Sequence, residues 1–210
     1  MQKNRDLVHG IMIVLADMIE NRNNGKGGQI EHTTAYLKTL IEGMLKRGVY
    51  TYELSKMDLD VFISSACLYD IGKISIPEDI LLKPGKLTKD EFEVIKTHAI
   101  KGEEIIDKIA SKTEGNEEFL RCAKLFAGNH HELWNGTGYP RGLEKTDIPF
   151  QGRLMAVIDV YDALISERPY KTAFTPDEAL KIIMDGAGEQ FDPLIVDVFL
   201  EIKDELVISK

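Results

Sequence analysis

Apolar residues recur along this chain at three- and four-residue intervals, the period of a helix with one buried face, and almost never alternate as in a half-buried strand. Leu7, Ile11, Leu15 and Met18 predict a first amphipathic helix over about 5–20, ended by the polar, glycine-rich run 21–28. A second is predicted over about 30–47, with Tyr36, Leu37, Leu40, Ile41 and Leu45 on one side. A third begins near Ser55, with Asp58 as its capping-box partner. It turns Leu59, Phe62, Ile63, Ala66 and Cys67 inward and stops at Gly72, read as a glycine C-cap.

The stretch 73–87 reads as loop with one short turn at 77–79, before Thr88 and Glu91 cap a long helix to about 109. Another helix is predicted over about 117–131. The segment 133–152, rich in Gly, Pro and Asn, is too long for a routine connection and marks a functional loop. A helix over about 150–166 and a loop over 166–174 follow. Thr175-Pro176-Asp177-Glu178 opens the next helix with a cap and a first-turn proline, and Phe191-Asp192-Pro193 opens the last. The expectation is an all-α bundle around one core, a single domain over 1–210.

Composition narrows the partners. The 210 residues carry 26 basic against 35 acidic side chains, a net charge of −9, so a nucleic-acid duplex or an anionic membrane is a poor bulk partner. Any anionic ligand needs local positive charge. Two cysteines, Cys67 and Cys122, make no disulfide framework, which favours a reducing, cytoplasmic setting. The most apolar stretch, 10–19, contains Asp17 and is far short of the ~20 residues of a spanning helix.

Five histidines are few, and their placement is informative. His32 stands early in the second helix, His98 in the long helix, and the His130-His131 pair at the end of another. Asp70 closes the third helix, and Asp159 follows the glycine-rich loop. Imidazole and carboxylate are the usual ligands of first-row transition metals, and helical bundles gather them from several helices. Adjacent helical residues diverge by about 100°, which would set His130 and His131 beside different ions. Singly, each has a plain structural reading. His98 alone is more often a packed histidine, Asp70 alone a helix-end carboxylate, and Lys73 a complement to a helix dipole.

Together they form a longer pattern. The chain reads Tyr69-Asp70-Ile71-Gly72-Lys73-Ile74, then His98 and Gly102, and then His130-His131-Glu132 with Gly136-Thr137-Gly138-Tyr139-Pro140. Ile158-Asp159-Val160-Tyr161-Asp162-Ala163-Leu164 and Arg168-Pro169-Tyr170-Lys171 complete it. From His32 to Pro193 this resembles the HD-GYP branch of the HD-domain metal-dependent phosphohydrolases. The resemblance implies an HD-domain helical bundle with additional C-terminal helices. It implies hydrolysis of cyclic di-GMP to linear pGpG, in some members on to GMP, by a metal-bound hydroxide. The implied metal ligands are His32, Asp70, His98, His130, His131 and Asp159, with Asp70 bridging two divalent ions. Iron or manganese is expected, with zinc, nickel and cobalt as alternatives. Lys73, Arg168 and Lys171 match positions that hold the scissile phosphate, and Tyr139 lines the pocket.

Two positions depart from the family pattern. Tyr69 stands where the family has the histidine of its name, and three outcomes follow: the phenol coordinates, a water fills the gap, or one ion is held weakly. Gly28 stands where three-metal members carry glutamate, so a third ion is not expected. Two further readings follow: a cyclic di-GMP receptor or protein-interaction module that has lost turnover, and a hydrolase of another phosphoester. In the family the 133–152 loop is proposed to contact diguanylate cyclase (GGDEF) domains, and a regulatory domain commonly precedes the first helix. The apolar stripe of that helix (1–22) suits core packing or pairing with its copy in a homodimer.

Overall fold

A computed structural model describes residues 2–22, 28–167 and 172–206, with side chains from residue 10 onward. The described residues are all-α. They form helices α1 (Gln2–Arg22), α2 (Gln29–Arg47), α3 (Thr51–Leu54), α4 (Leu59–Ser65) and α5 (Glu78–Leu81). The second half adds α6 (Lys89–Ala110), α7 (Glu117–Asn129), α8 (Phe150–Ile165), α9 (Pro176–Asp185) and α10 (Pro193–Glu201). Short 3-10 turns fill Ala66–Leu68, Ile71–Ser75, Lys145–Asp147 and Lys203–Glu205. None of the described helices is long and apolar enough to cross a membrane.

The helix starts follow local chemistry. Thr88 and Thr175 each cap with a reciprocating glutamate, Glu91 and Glu178, as expected, and Asp192 caps α10 ahead of Pro193. The third predicted helix starts later than the sequence suggested. Ser55 ends the short α3, and Asp58 is itself the N-cap of α4, accepting from the amides of Asp60 and Val61. The α2 start has no cap in its own sequence, because Gly28 offers no side chain. Glu20 of α1 supplies it: its two carboxylate oxygens accept from Gln29 N at 2.6 Å and Ile30 N at 3.1 Å.

Buried apolar residues gather in two clusters rather than one. The larger draws on α2, α4, α8, α9 and α10, through residues such as Leu37, Phe62, Leu154, Ile183 and Phe199. The smaller joins α1, α6 and α7 through Met12, Ile19, Ile106, Leu120 and Ala123. Helix α7 serves both, with Cys122 and Phe126 in the first and Ala123 and Ala127 in the second. The segment 66–71 also divides between them: Ala66 and Tyr69 enter the first cluster, Leu68 and Ile71 the second. Asp70 therefore sits at the seam.

Two predicted faces are rotated. On α1 the buried residues are Met12, Ala16 and Ile19, whereas Ile11, Val14 and Met18 are more than half exposed. Of the stripe read from the sequence, Ile11 and Met18 thus face outward while Leu15 packs against the smaller cluster, and the side chain of Leu7 lies outside the described residues. On α2 Met44 is buried in place of Leu45. Gly72 is also not a helix C-cap. It lies inside the second 3-10 turn, where a Cβ would stand 1.9 Å from His98 O and 2.5 Å from Gly102 N. Only glycine lets this turn press against α6, which brings Asp70 up to His98.

A polar knot ties the C-terminal helices to the core. Arg153, 7% exposed, donates to Asp192 Oδ2 at 2.9 Å, to Tyr50 Oη at 3.2 Å and to Ile148 O at 3.1 Å, and Tyr50 donates to the same carboxylate at 2.6 Å. Removing one partner of a buried pair strands the other charge. Asp192→Ala is expected to lower unfolding free energy by about 3–5 kcal/mol, read as a shift in the urea midpoint at unchanged slope.

Candidate metal centre

Asp70, His98 and His130 come together from the 68–71 seam, α6 and the end of α7. His98 Nδ1 donates to Ile95 O at 2.7 Å, and His130 Nδ1 faces Phe126 O and Ala127 O at 3.0 and 3.1 Å. Those carbonyls hold the ring protons on Nδ1, so both Nε2 atoms present lone pairs to the interior. The two Nε2 atoms lie 3.2 Å apart, and Asp70 Oδ1 lies 3.5 Å from one and 3.7 Å from the other. That oxygen is buried and accepts no hydrogen bond. Three potential ligand atoms thus face one another at short range, an arrangement that suits a cation.

His131 joins the same group. Ligand atoms of His98, His130 and His131 all fall within 4.8 Å of one another, and the rings of His130 and His131 are 4.1 Å apart. Helix α7 ends at Asn129, and His130 and His131 in the turn after it have their ring planes inclined by 44°. Burial, then the neighbouring His130, holds His131 well below the usual imidazole range. Burial pushes the His98 pKa down to about 4, so the ring is a neutral donor at neutral pH. For Asp70 burial acts to raise the pKa, but the Lys73 ammonium beside it outweighs burial, and the carboxyl stays well below its usual range. Lys73 donates directly to Asp70 Oδ2.

The other two predicted ligands, His32 and Asp159, are each held by partners of their own. His32, early in α2, places Nδ1 3.3 Å from Asp162 Oδ1, which leaves its Nε2 outward over Gly28. Asp159 Oδ1 accepts from the Tyr69 hydroxyl at 3.0 Å, and Gln29 Nε2 donates to the same hydroxyl at 2.6 Å. Burial, then Asp159 and Asp70, raises the Tyr69 pKa well above its usual value. Without a metal beside it, Tyr69 is therefore a neutral phenol bonded to Asp159. Its ring meets His130 edge-on at 5.3 Å and packs in the larger core cluster.

Tyr139 of the glycine-rich loop stacks on His131, with centroids 4.7 Å apart and planes inclined by 29°. The loop is held from beneath by Glu132, 1% exposed, which accepts from Arg141 N at 2.7 Å and Leu143 N at 2.9 Å. Gly138 is required there, since a Cβ would stand 2.2 Å from Leu133 N. Arg168 and Lys171 lie outside the described residues. Sequence reasoning gave no role to Asp162, Gln29 or Glu132. Asp162 had a legible signal, one helical turn beyond Asp159, whereas Gln29 and Glu132 act through contacts that no spacing reveals.

Known proteins fit this geometry. An HD domain family profile matches residues 14–195. The chain is 44% identical over 196 residues to a cyclic di-GMP phosphodiesterase of Vibrio cholerae, covering 93% of this chain and 40% of that protein. It is 33% identical over 193 residues to a 3'3'-cGAMP-specific phosphodiesterase of the same organism, covering 92% of this chain and 34% of that protein. The chain thus spans about two fifths or less of the length of these relatives. Among solved structures, an HDG"Y"P protein of Bdellovibrio bacteriovorus shares the fold with a TM-score of 0.58 at 21% identity, over 84% of this chain and 52% of that one. With an HD domain profile matched over 14–195 and a Gly-Tyr-Pro motif at 138–140, the chain belongs to the HD domain family.

Proposed function

We propose that this chain is a metal-dependent phosphodiesterase unit that opens cyclic di-GMP to linear pGpG. The observation that carries the reading is the meeting of Asp70 Oδ1 with the Nε2 lone pairs of His98 and His130, buried and without a donor. Asp70, His98, His130 and His131 form the stronger half of a two-ion centre, for which iron or manganese fits the nitrogen-rich donor set. His32, Asp159 and the shared Asp70 form the weaker half. When bound, the ions supply Lewis acidity to the phosphoryl group and acidify a water.

The chain's own residues have distinct tasks in this reading. Asp162 fixes the His32 tautomer and aims Nε2 away from itself, as carboxylates behind metal-bound histidines do. Gln29 and Tyr69 hold Asp159 in one orientation by hydrogen bonds, in the place where the family has an imidazole. Lys73 offsets the charge of Asp70 and, with Arg168 and Lys171, provides the local positive charge that a phosphodiester needs at a protein of net charge −9. Tyr139, stacked on His131, bounds the pocket where a nucleotide enters. The loop 133–152 is a contact surface for diguanylate cyclase domains, and the setting is cytoplasmic.

Three measurements test this reading. Manganese- or iron-loaded protein incubated with cyclic di-GMP is expected to yield pGpG, and His98→Ala to abolish product; turnover of 3'3'-cGAMP alone would move the substrate, and no turnover of either would overturn the activity. Metal analysis after dialysis is expected to find close to one ion per chain, rising toward two in Tyr69→His, and a drop of about 10–100-fold in affinity at the weaker half for Asp162→Asn. The third is pH dependence in metal-free protein. The His98 pKa is about 4 when folded and ~6.5 when unfolded, so the unfolded state takes the proton first as pH falls. Stability should be full above pH ~6.5 and decline by about 1.4 kcal/mol per pH unit toward pH ~4 on account of this ring, visible in urea midpoints and reduced in His98→Asn.

A further inference from the structure

The aromatic contacts around the histidines continue past Tyr139 to the surface. The far edge of that ring meets Phe92 of α6 at 6.4 Å between centroids and an interplanar angle of 82°. Phe92 is 47% exposed, a large apolar ring left in water one turn after the capping box that starts the helix. Lys96, one turn further on, holds its ammonium 5.4 Å from the Phe92 centroid and 5.7 Å from that of Tyr139. Two residues beyond it on the same helix is His98. A run of rings, His130, His131, Tyr139 and Phe92, thus leads from the electron-rich cluster to solvent and ends in an exposed π-face beside a cation.

We infer that Phe92, Tyr139 and Lys96 form a stacking subsite for a purine base of the nucleotide whose phosphate lies at the histidine cluster. The inference rests on the phosphodiesterase reading above for the identity of that nucleotide. Exposed aromatic rings bind bases because every base has a π-face, and an ammonium beside them suits the O6 and N7 acceptors of guanine. Lys96 also pairs with Glu93 Oε1 at 2.5 Å, on a carboxylate that is itself 68% exposed. That negative neighbour makes the pair a poor magnet for phosphate. Lys96 is therefore placed at the base edge, and phosphate is left to the cations nearer Asp70.

The test compares GMP with ribose 5-phosphate, which has the same phosphate and no base, by equilibrium binding to the manganese-loaded protein. Phe92→Ala is expected to weaken GMP about tenfold and to change ribose 5-phosphate by less than about twofold, with Phe92→Trp restoring GMP. Lys96→Met is expected to weaken GMP by about threefold. Equal losses for both ligands, no loss for GMP, or no measurable GMP binding to the unaltered protein would overturn the subsite. The two readings fail separately: Phe92-dependent GMP binding without cleavage of cyclic di-GMP removes only the activity. Cleavage with GMP affinity indifferent to Phe92 removes only the subsite.

Discussion

The structure is organised around an unfavourable contact. A carboxylate oxygen and two imidazole Nε2 atoms meet within 3.7 Å, buried, and the oxygen has no hydrogen bond. Repulsion of this kind in a low-dielectric interior persists only where the surroundings over-determine it. Here the restraints are visible. Main-chain carbonyls of α6 and α7 take the Nδ1 protons, Gly72 lets the 3-10 turn approach α6, and Lys73 offsets the other oxygen of Asp70. The two hydrophobic clusters meet along the same seam, so packing on both sides holds the carboxylate in place. A cation relieves the repulsion directly, which ties metal binding to the stability of the surrounding fold.

Much of this was legible in the sequence, for physical reasons that differ by element. Helix starts were readable at Thr88 and Thr175, where a capping box lies in the helix's own first turn, whereas the start of α4 was read at Ser55 and its cap is Asp58. The α2 start was not, because its cap comes from Glu20 in a different helix. Periodicity found the helices but misassigned the buried face of α1, where Met12, Ala16 and Ile19 pack and the equally apolar Ile11, Val14 and Met18 do not. The histidines and Asp70 were identifiable from ordered motifs. How closely the His130 and His131 rings approach was not, because α7 ends at Asn129, two residues short of the expected end, and the pair falls in the turn after it.

Tyr69 separates two senses of conservative replacement. In packing terms it is mild: the ring fills core volume beside Phe62 and Ala66, and its hydroxyl finds two partners. In chemical terms it is a larger change. Burial and the carboxylates around it hold the phenol well above its usual pKa, and its hydroxyl is engaged by Asp159 and Gln29, where an imidazole would present a ring nitrogen.

The clasp between α1 and α2 has a mechanical consequence. Glu20 grips the first two amides of α2, and from that same first turn Gln29 reaches Tyr69 while His32 reaches Asp162. A lengthwise slide or rotation of α1 is thus transmitted to Tyr69 and Asp162 through two linkages in series. Arg22, at the other side of the same helix end, donates to Ile74 O at 2.8 Å, so the pull also reaches the turn that carries Lys73. Leverage on the first helix would shift the surroundings of His32 and of Asp70 together.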